Sequence, residues 1–220
     1  MKTLLVLFGF LIAGQAYGQT EGCIKPDFTK INLKENVLYF FCRGTKGKAG
    51  LLTKRFNLQD TNITHTGIGF YENGGAIIYN VSDVANGLNG VLYVDSLESF
   101  INTGDVYYVS IWEYKVNHLG YNTLKNILKT YSGKHITFDR FFNISLDDTL
   151  YCSEFCINIL KQLKIPELTF AASKYSLEKN ILYESYLNRK ELIYYPADFF
   201  TANKKIKKIF ELQLKVQQQL

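Results

Sequence analysis

Apolar positions in the first half of the chain fall into short runs with strand spacing, and helical spacing dominates only after residue 118. Residues 37–42 form a ring-rich apolar run, which predicts a buried strand. The polar stretch 43–62, loosened by Gly44, Gly47 and Gly50, predicts a long surface loop with room for one helical turn. Residues 64–70 and 76–82 predict two strands joined through Glu72-Asn73-Gly74-Gly75, the strongest hairpin signal present. Further strands are expected at 91–94 and 106–112, separated by a short helix at 96–101. Leu124, Ile127, Leu128 and Tyr131 share one helical face within 119–131, stopped by Ser132-Gly133. Asp148 or Thr149 can cap a helix running to about Leu163, with Pro166 just beyond. The last third is less regular until a helix expected from about Lys204 onward. The pattern predicts an α+β domain: an antiparallel sheet packed against one well-defined central helix.

Composition narrows the class. The chain has 220 residues, 47% of them hydrophobic and 20% charged, which suits an ordinary globular domain. No internal repeat or Pro/Gly-rich linker divides it. Lys2, the apolar run 4–13 and Ala16-Tyr17-Gly18 predict a cleaved leader over 1–18, with the domain at 19–203 and a basic C-terminal helix at 204–220. The product is expected to be exported, periplasmic or secreted, from a bacterium, with no integral membrane segment after leader removal. Thr20-Glu21-Gly22 lacks the aliphatic residue of a lipoprotein signal before Cys23. Net charge is +5, and the only concentrated positive segment is Lys204, Lys205, Lys207 and Lys208. That cluster reads as a solvated helix face rather than a nucleic-acid or membrane contact. No metal or cofactor is called for.

Four cysteines in an exported chain allow three pairings of two disulfides. Cys152 and Cys156, four apart on one helix, have the wrong spacing to bridge each other. Cys23 with Cys42 is the plausible bridge. In Tyr151-Cys152-Ser153-Glu154-Phe155-Cys156, Cys152 falls in or near a first helical turn, where the dipole favours thiolate. The same motif equally fits a buried structural cysteine or half of a disulfide. Cys156, one turn deeper, reads as a small core residue.

A nucleophilic thiol needs a base, and the chain has three histidines. His118 and His135 flank a predicted helix and read as surface residues. His65 opens a strand in which Gly67 and Gly69 share its face, leaving room for another element, such as a helix N-terminus, to approach closely. With Asn73-Gly74 as the turn, His65 stands opposite Ser82, and Asn80 lies on the diagonal, about 7–8 Å away between backbones. Asn is depleted in strands, so Asn80 is the candidate to orient the imidazole; a strand-end Asn is the plainer alternative. Asn80-Val81-Ser82, Asn62-Ile63-Thr64 and Asn143-Ile144-Ser145 are also glycosylation sequons, and a glycan on Asn80 would exclude this role.

The order strand-histidine, strand-polar residue, Tyr-Cys-Ser-Glu at a helix start resembles the permuted papain-like amidases of the YaeF/YiiX type. These are relatives of the NlpC-type cell-wall peptidases. Thr64-His65-Thr66-Gly67-Ile68, Phe138-Asp139-Arg140-Phe141-Phe142 and Tyr195-Pro196-Ala197-Asp198-Phe199 are similar to that family's segments, so the likeness spans about residues 38–200. It implies a circularly permuted papain-like fold and a cysteine peptidase or amidase with Cys152 as nucleophile and His65 as base. Asn80 falls where many relatives carry Glu. Tyr151 is a candidate for the oxyanion site and Glu154 for a structural or substrate-contacting role. The implied substrate is a peptide or amide, including cell-wall peptides. A lipid acyltransferase or thioesterase with the same dyad and a non-catalytic binding domain are the alternatives.

Overall fold

The structure, a computed structural model, describes residues 31–83, 91–102, 104–144, 148–178 and 180–214. The expected leader, residues 1–18, and Cys23 lie outside the described residues. In chain order the elements are β1 (Val37–Thr45), α1 (Lys48–Lys54), β2 (His65–Glu72), β3 (Gly75–Ser82), β4 (Val91–Asp95), α2 (Leu97–Ile101) and β5 (Val106–Lys115). These are followed by α3 (His118–Ser132), β6 (Thr137–Phe138), β7 (Thr149–Leu150), α4 (Cys152–Leu163), β8 (Ser173–Ser176), α5 (Ile181–Leu187), β9 (Glu191–Tyr194) and β10 (Lys207–Gln213). This is a mixed α+β fold built on one large antiparallel sheet, in the order β10-β5-β1-β2-β3-β4. Among the described residues no helix is long and apolar enough to cross a membrane.

The β2–β3 hairpin has the anticipated register. Asn73 (φ 52°) and Gly74 (φ 83°) take the two left-handed positions of a type I′ turn, and Glu72 pairs with Gly75. One sheet face presents Leu38, Phe40, Ile68, Phe70, Tyr79 and Val81, all buried. Against them pack Leu124 and Leu128 of α3 and Phe155, Ile159 and Leu160 of α4. Each such side chain contributes on the order of 2 kcal/mol by leaving water. The short helix α2, capped by Ser96 through the Ser99 N–H, lies against β3 and β4 and places Phe100 beside His65.

Four expectations are revised. No helix begins at Lys204 among the described residues: Lys207–Gln213 is β10, pairing antiparallel with β5 from Lys207–Glu113 to Gln213–Tyr108. An amphipathic segment of this length suits either period, and the open edge of β5 decides in favour of the strand. Within the basic cluster Lys208 reaches Asp60 (3.2 Å) and Glu211 (3.0 Å), and Lys205 reaches Glu167 (3.0 Å). α4 starts later than its presumed caps, because Thr149 and Leu150 pair with Thr137 and Phe138, so Tyr151 becomes the N-cap and Cys152 the first helical residue. Cys42 is a free thiol at 0% exposure, accepting from the Thr66 hydroxyl at 3.7 Å, so the disulfide anticipated for it is not formed. The polar stretch 43–62 also holds more structure than a loop: β1 continues through Arg43, and α1 follows.

Candidate active site

Position 65 opens β2, and its ladder partner in β1 is Arg43. His65 Nε2 lies 2.9 Å from Asn80 Oδ1. Asn80 Nδ2 in turn donates to Asp95 Oδ2 at the end of β4, also at 2.9 Å. Asn80 is 1% exposed, so its sequon is closed to a glycan in the folded protein. The hairpin glycines make this contact possible, and the element they admit is the neighbouring strand. A Cβ on Gly67 would stand 2.8 Å from Ile78 Cγ2 and 3.1 Å from Asn80 Cβ, and one on Gly69 would stand 2.1 Å from the Ile77 carbonyl oxygen. Both glycines therefore admit β3, not a helix, close enough for Asn80 to cross to the imidazole.

Cys152 reaches this place from α4. The β2–β3 ladder runs from Glu72–Gly75 only to Ile68–Tyr79. Beyond it the backbone of Thr66 meets the first turns of α4 instead: its carbonyl accepts the Cys156 thiol at 3.9 Å, and its N–H is directed at Cys152. Cys152 is thus carried to the residue adjoining His65, with 7% of its surface exposed. The structure joins His65 to Asn80 directly and brings Cys152 to the backbone next to the imidazole. His118, the first residue of α3, and His135, just beyond that helix, are both exposed, and neither takes part in this arrangement.

Electrostatics reverse the anticipated ionisation. Burial raises the Cys152 pKa, outweighing hydrogen bonds from Thr66 and Ser153 and the positive charge of Arg43. Burial, then the Arg43 charge, push the His65 pKa down to about 3, against the raising effect of Asn80. The resting pair is a neutral thiol and a neutral imidazole. A helix N-terminus contributes a partial charge, and full burial outweighs it.

Sequence reasoning missed two of the groups here. Arg43 is 8% exposed, donates to the Phe100 carbonyl, and lies with its guanidinium 4.7 Å from the Phe100 ring centroid. A charged residue ending an otherwise apolar run was the available signal. Asp95, the acceptor behind Asn80, carried none, because it closes a strand expected to stop at residue 94. The remaining candidates, Tyr151 and Glu154, are both buried. Tyr151 is 1% exposed, and its phenol oxygen accepts the Tyr195 N–H at 2.8 Å, so it braces the C-terminal segment. Glu154 is 1% exposed in the first turn of α4. The segment Tyr195-Pro196-Ala197-Asp198-Phe199 also serves the scaffold. Asp198 accepts from the N–H groups of Leu58, Gln59 and Asp60 at 2.7–3.0 Å, and the Ala197 carbonyl accepts from the Thr66 hydroxyl at 2.6 Å.

Neither a protein-family model nor a curated protein matches the chain. Among the described residues no group of His, Cys, Asp and Glu is arranged to hold a metal ion.

Proposed function

We propose that the protein is an exported papain-like cysteine hydrolase of permuted order, with Cys152 as nucleophile, His65 as base and Asn80 as the group that orients the base. The observation carrying this reading is the 2.9 Å contact between His65 Nε2 and Asn80 Oδ1, with Cys152 at the first turn of α4 against Thr66. An imidazole engaged through Nε2 keeps Nδ1 for the thiol proton. As that proton moves to Nδ1, the sulfur attacks the substrate carbonyl and the C–S bond forms. Collapse breaks the C–N bond, and the departing amine takes the proton back. Water then gives a proton to Nδ1 as it adds to the thioester, the C–S bond breaks, and the sulfur takes that proton as the acid leaves. The Cys152 N–H, at a helix start, is the candidate oxyanion donor. A peptide or amide, cell-wall peptides included, is the substrate class that the sequence resemblance favours.

A specific observation keeps acyl-chain substrates as a second reading. Ile181 and Leu182 of α5 are each 80% exposed, and Phe141 stacks on Tyr186 with ring centroids 6.0 Å apart. Phe142, next to Phe141, packs on Tyr151 directly before the nucleophile. This apolar surface suits a thioesterase or lipid acyltransferase using the same dyad. A free thiol at Cys152 supports the hydrolase reading over a binding domain in which that cysteine is tied into a disulfide.

Trapping the acyl-enzyme tests the proposal. The mature protein, given an activated amide or an acyl thioester and quenched in acid, is expected to gain the acyl mass on Cys152. Both Cys152→Ser and His65→Gln should abolish the adduct. Adducts confined to other residues, or unaffected by His65→Gln, overturn the assignment. Product analysis separates free acid from a newly formed ester or amide, and so hydrolysis from acyl transfer.

A further inference from the structure

Asn80 bonds the imidazole on one side and the Asp95 carboxylate on the other, each at 2.9 Å. A side-chain amide carries a donor end and an acceptor end, and nothing intrinsic to Asn80 decides which faces His65. A carboxylate only accepts, so Asp95 holds the –NH2 end of Asn80. That leaves Oδ1 for His65, and an oxygen acceptor requires the proton on Nε2. We infer that Asp95 is a positioning residue that fixes the Asn80 amide and, through it, keeps His65 in the tautomer whose Nδ1 can accept a proton.

The reversed arrangement shows what is at stake. With Asn80 turned over, Nδ2 would face Nε2, which would have to be the acceptor, and Nδ1 would carry the hydrogen. A base in that form cannot take a thiol proton, whatever its distance from Cys152. Asp95 also supplies the negative charge that position 80, as an uncharged amide, does not. It stands one hydrogen bond further from the imidazole and balances the buried Arg43. Burial of Asn80 at 1% exposure excludes bulk water as a competing acceptor for its –NH2 group, so the carboxylate sets the direction of the chain of bonds.

The catalytic consequence rests on the hydrolase reading; the tautomer itself does not, and the test separates the two. Nitrogen-15 imidazole spectra of the mature protein at pH 7, with the His65 signals assigned by their loss in His65→Gln, should show protonated Nε2 and unprotonated Nδ1. Asp95→Ala is expected to give mixed or reversed tautomers, and to lower kcat by about 10- to 100-fold with KM nearly unchanged. The double exchange Asn80→Asp with Asp95→Asn keeps the net charge and again puts an acceptor-only group beside Nε2. It should restore the single tautomer and most of kcat, which also guards against a folding defect in the alanine variant. A single Nε2–H tautomer retained in Asp95→Ala, or mixed tautomers in the double exchange, overturns the inference. The tautomer pattern as expected, without any acyl-enzyme on Cys152, supports the lock while removing the hydrolase reading.

Discussion

Replacing His65 by Gln tests how deeply the imidazole is held neutral. Its pKa drops from an ordinary 6.5 to about 3, first through burial and then through the Arg43 charge. The unfolded chain therefore binds a proton on His65 between these two values that the folded protein does not. A depressed histidine contributes its stability above the unfolded pKa, and this contribution is lost as pH falls from 6.5 towards 3. Across that interval, at about 1.4 kcal/mol per pH unit, the loss is roughly 5 kcal/mol, with about 3 kcal/mol already gone at pH 4. For a domain stabilised by about 5–15 kcal/mol this is a large share. Urea unfolding at half-unit steps from pH 7 to 4 gives the free energy at each pH for both proteins. The lost Asn80 bond shifts the variant's curve as a whole, whereas titration alters its slope, so the difference in slope is the quantity to read. Wild type should fall more steeply than His65→Gln by close to one proton between pH 5.5 and 4. Parallel curves would show that His65 titrates near its ordinary value and that the imidazole is not sealed as described.

Four further outcomes follow from particular contacts. Gly67→Ala puts a methyl 3.1 Å from Asn80 Cβ and 2.8 Å from Ile78 Cγ2, so acyl-enzyme formation should fall at least tenfold and stability by about 1–3 kcal/mol, read by quenched mass spectrometry and urea titration. Asp198→Asn weakens the hold on the N–H groups of Leu58, Gln59 and Asp60, and chemical unfolding should register a loss of about 2–4 kcal/mol. Iodoacetamide should modify Cys152 before Cys42 and Cys156, whose exposure is 0%, with a rate that climbs toward alkaline pH because burial raises the thiol pKa; peptide mapping after timed quenching checks the order. Arg43→Met should slow that labelling, by removing the charge that favours the thiolate, and narrow the pH interval seen in the urea experiment.

The part of the site that was legible in the sequence came from short-range rules. Asn73-Gly74 fixes a two-residue turn, the turn fixes the register, and the register carries Asn80 to His65; no step needs information from outside residues 65–82. What was not legible depends on partners remote in sequence. Whether Lys207–Gln213 is strand or helix is settled by the open edge of β5, about a hundred residues earlier. The start of α4 moved because Thr149 and Leu150 were claimed by Thr137 and Phe138. Asp95 and Arg43 escaped notice for a related reason: a charge at a strand end looks like a boundary until the neighbouring strand shows what it faces. The Cys152 ionisation is not legible for the same reason: a local dipole is visible in the sequence, whereas the burial that outweighs it comes from tertiary packing.

Arg43 ties these features into one chemical argument. A guanidinium keeps its proton even when buried, so the site contains a fixed positive charge that acts on both Cys152 and His65. It favours a thiolate on Cys152 and disfavours an imidazolium on His65. A preformed thiolate–imidazolium pair would place a second cation near the first within the same buried volume, and Asn80 offers no charge to offset it. The proton therefore stays on sulfur at rest. On the proposed hydrolase mechanism it moves as the sulfur attacks a substrate carbonyl, whose oxygen takes up the negative charge and leaves the imidazolium to be stabilised by the protein. Asp95, reached through Asn80 and opposed to Arg43, is the group whose charge can stabilise that imidazolium. On this reading the substitution of an amide for a carboxylate at position 80 transfers the countercharge one hydrogen bond outward rather than removing it.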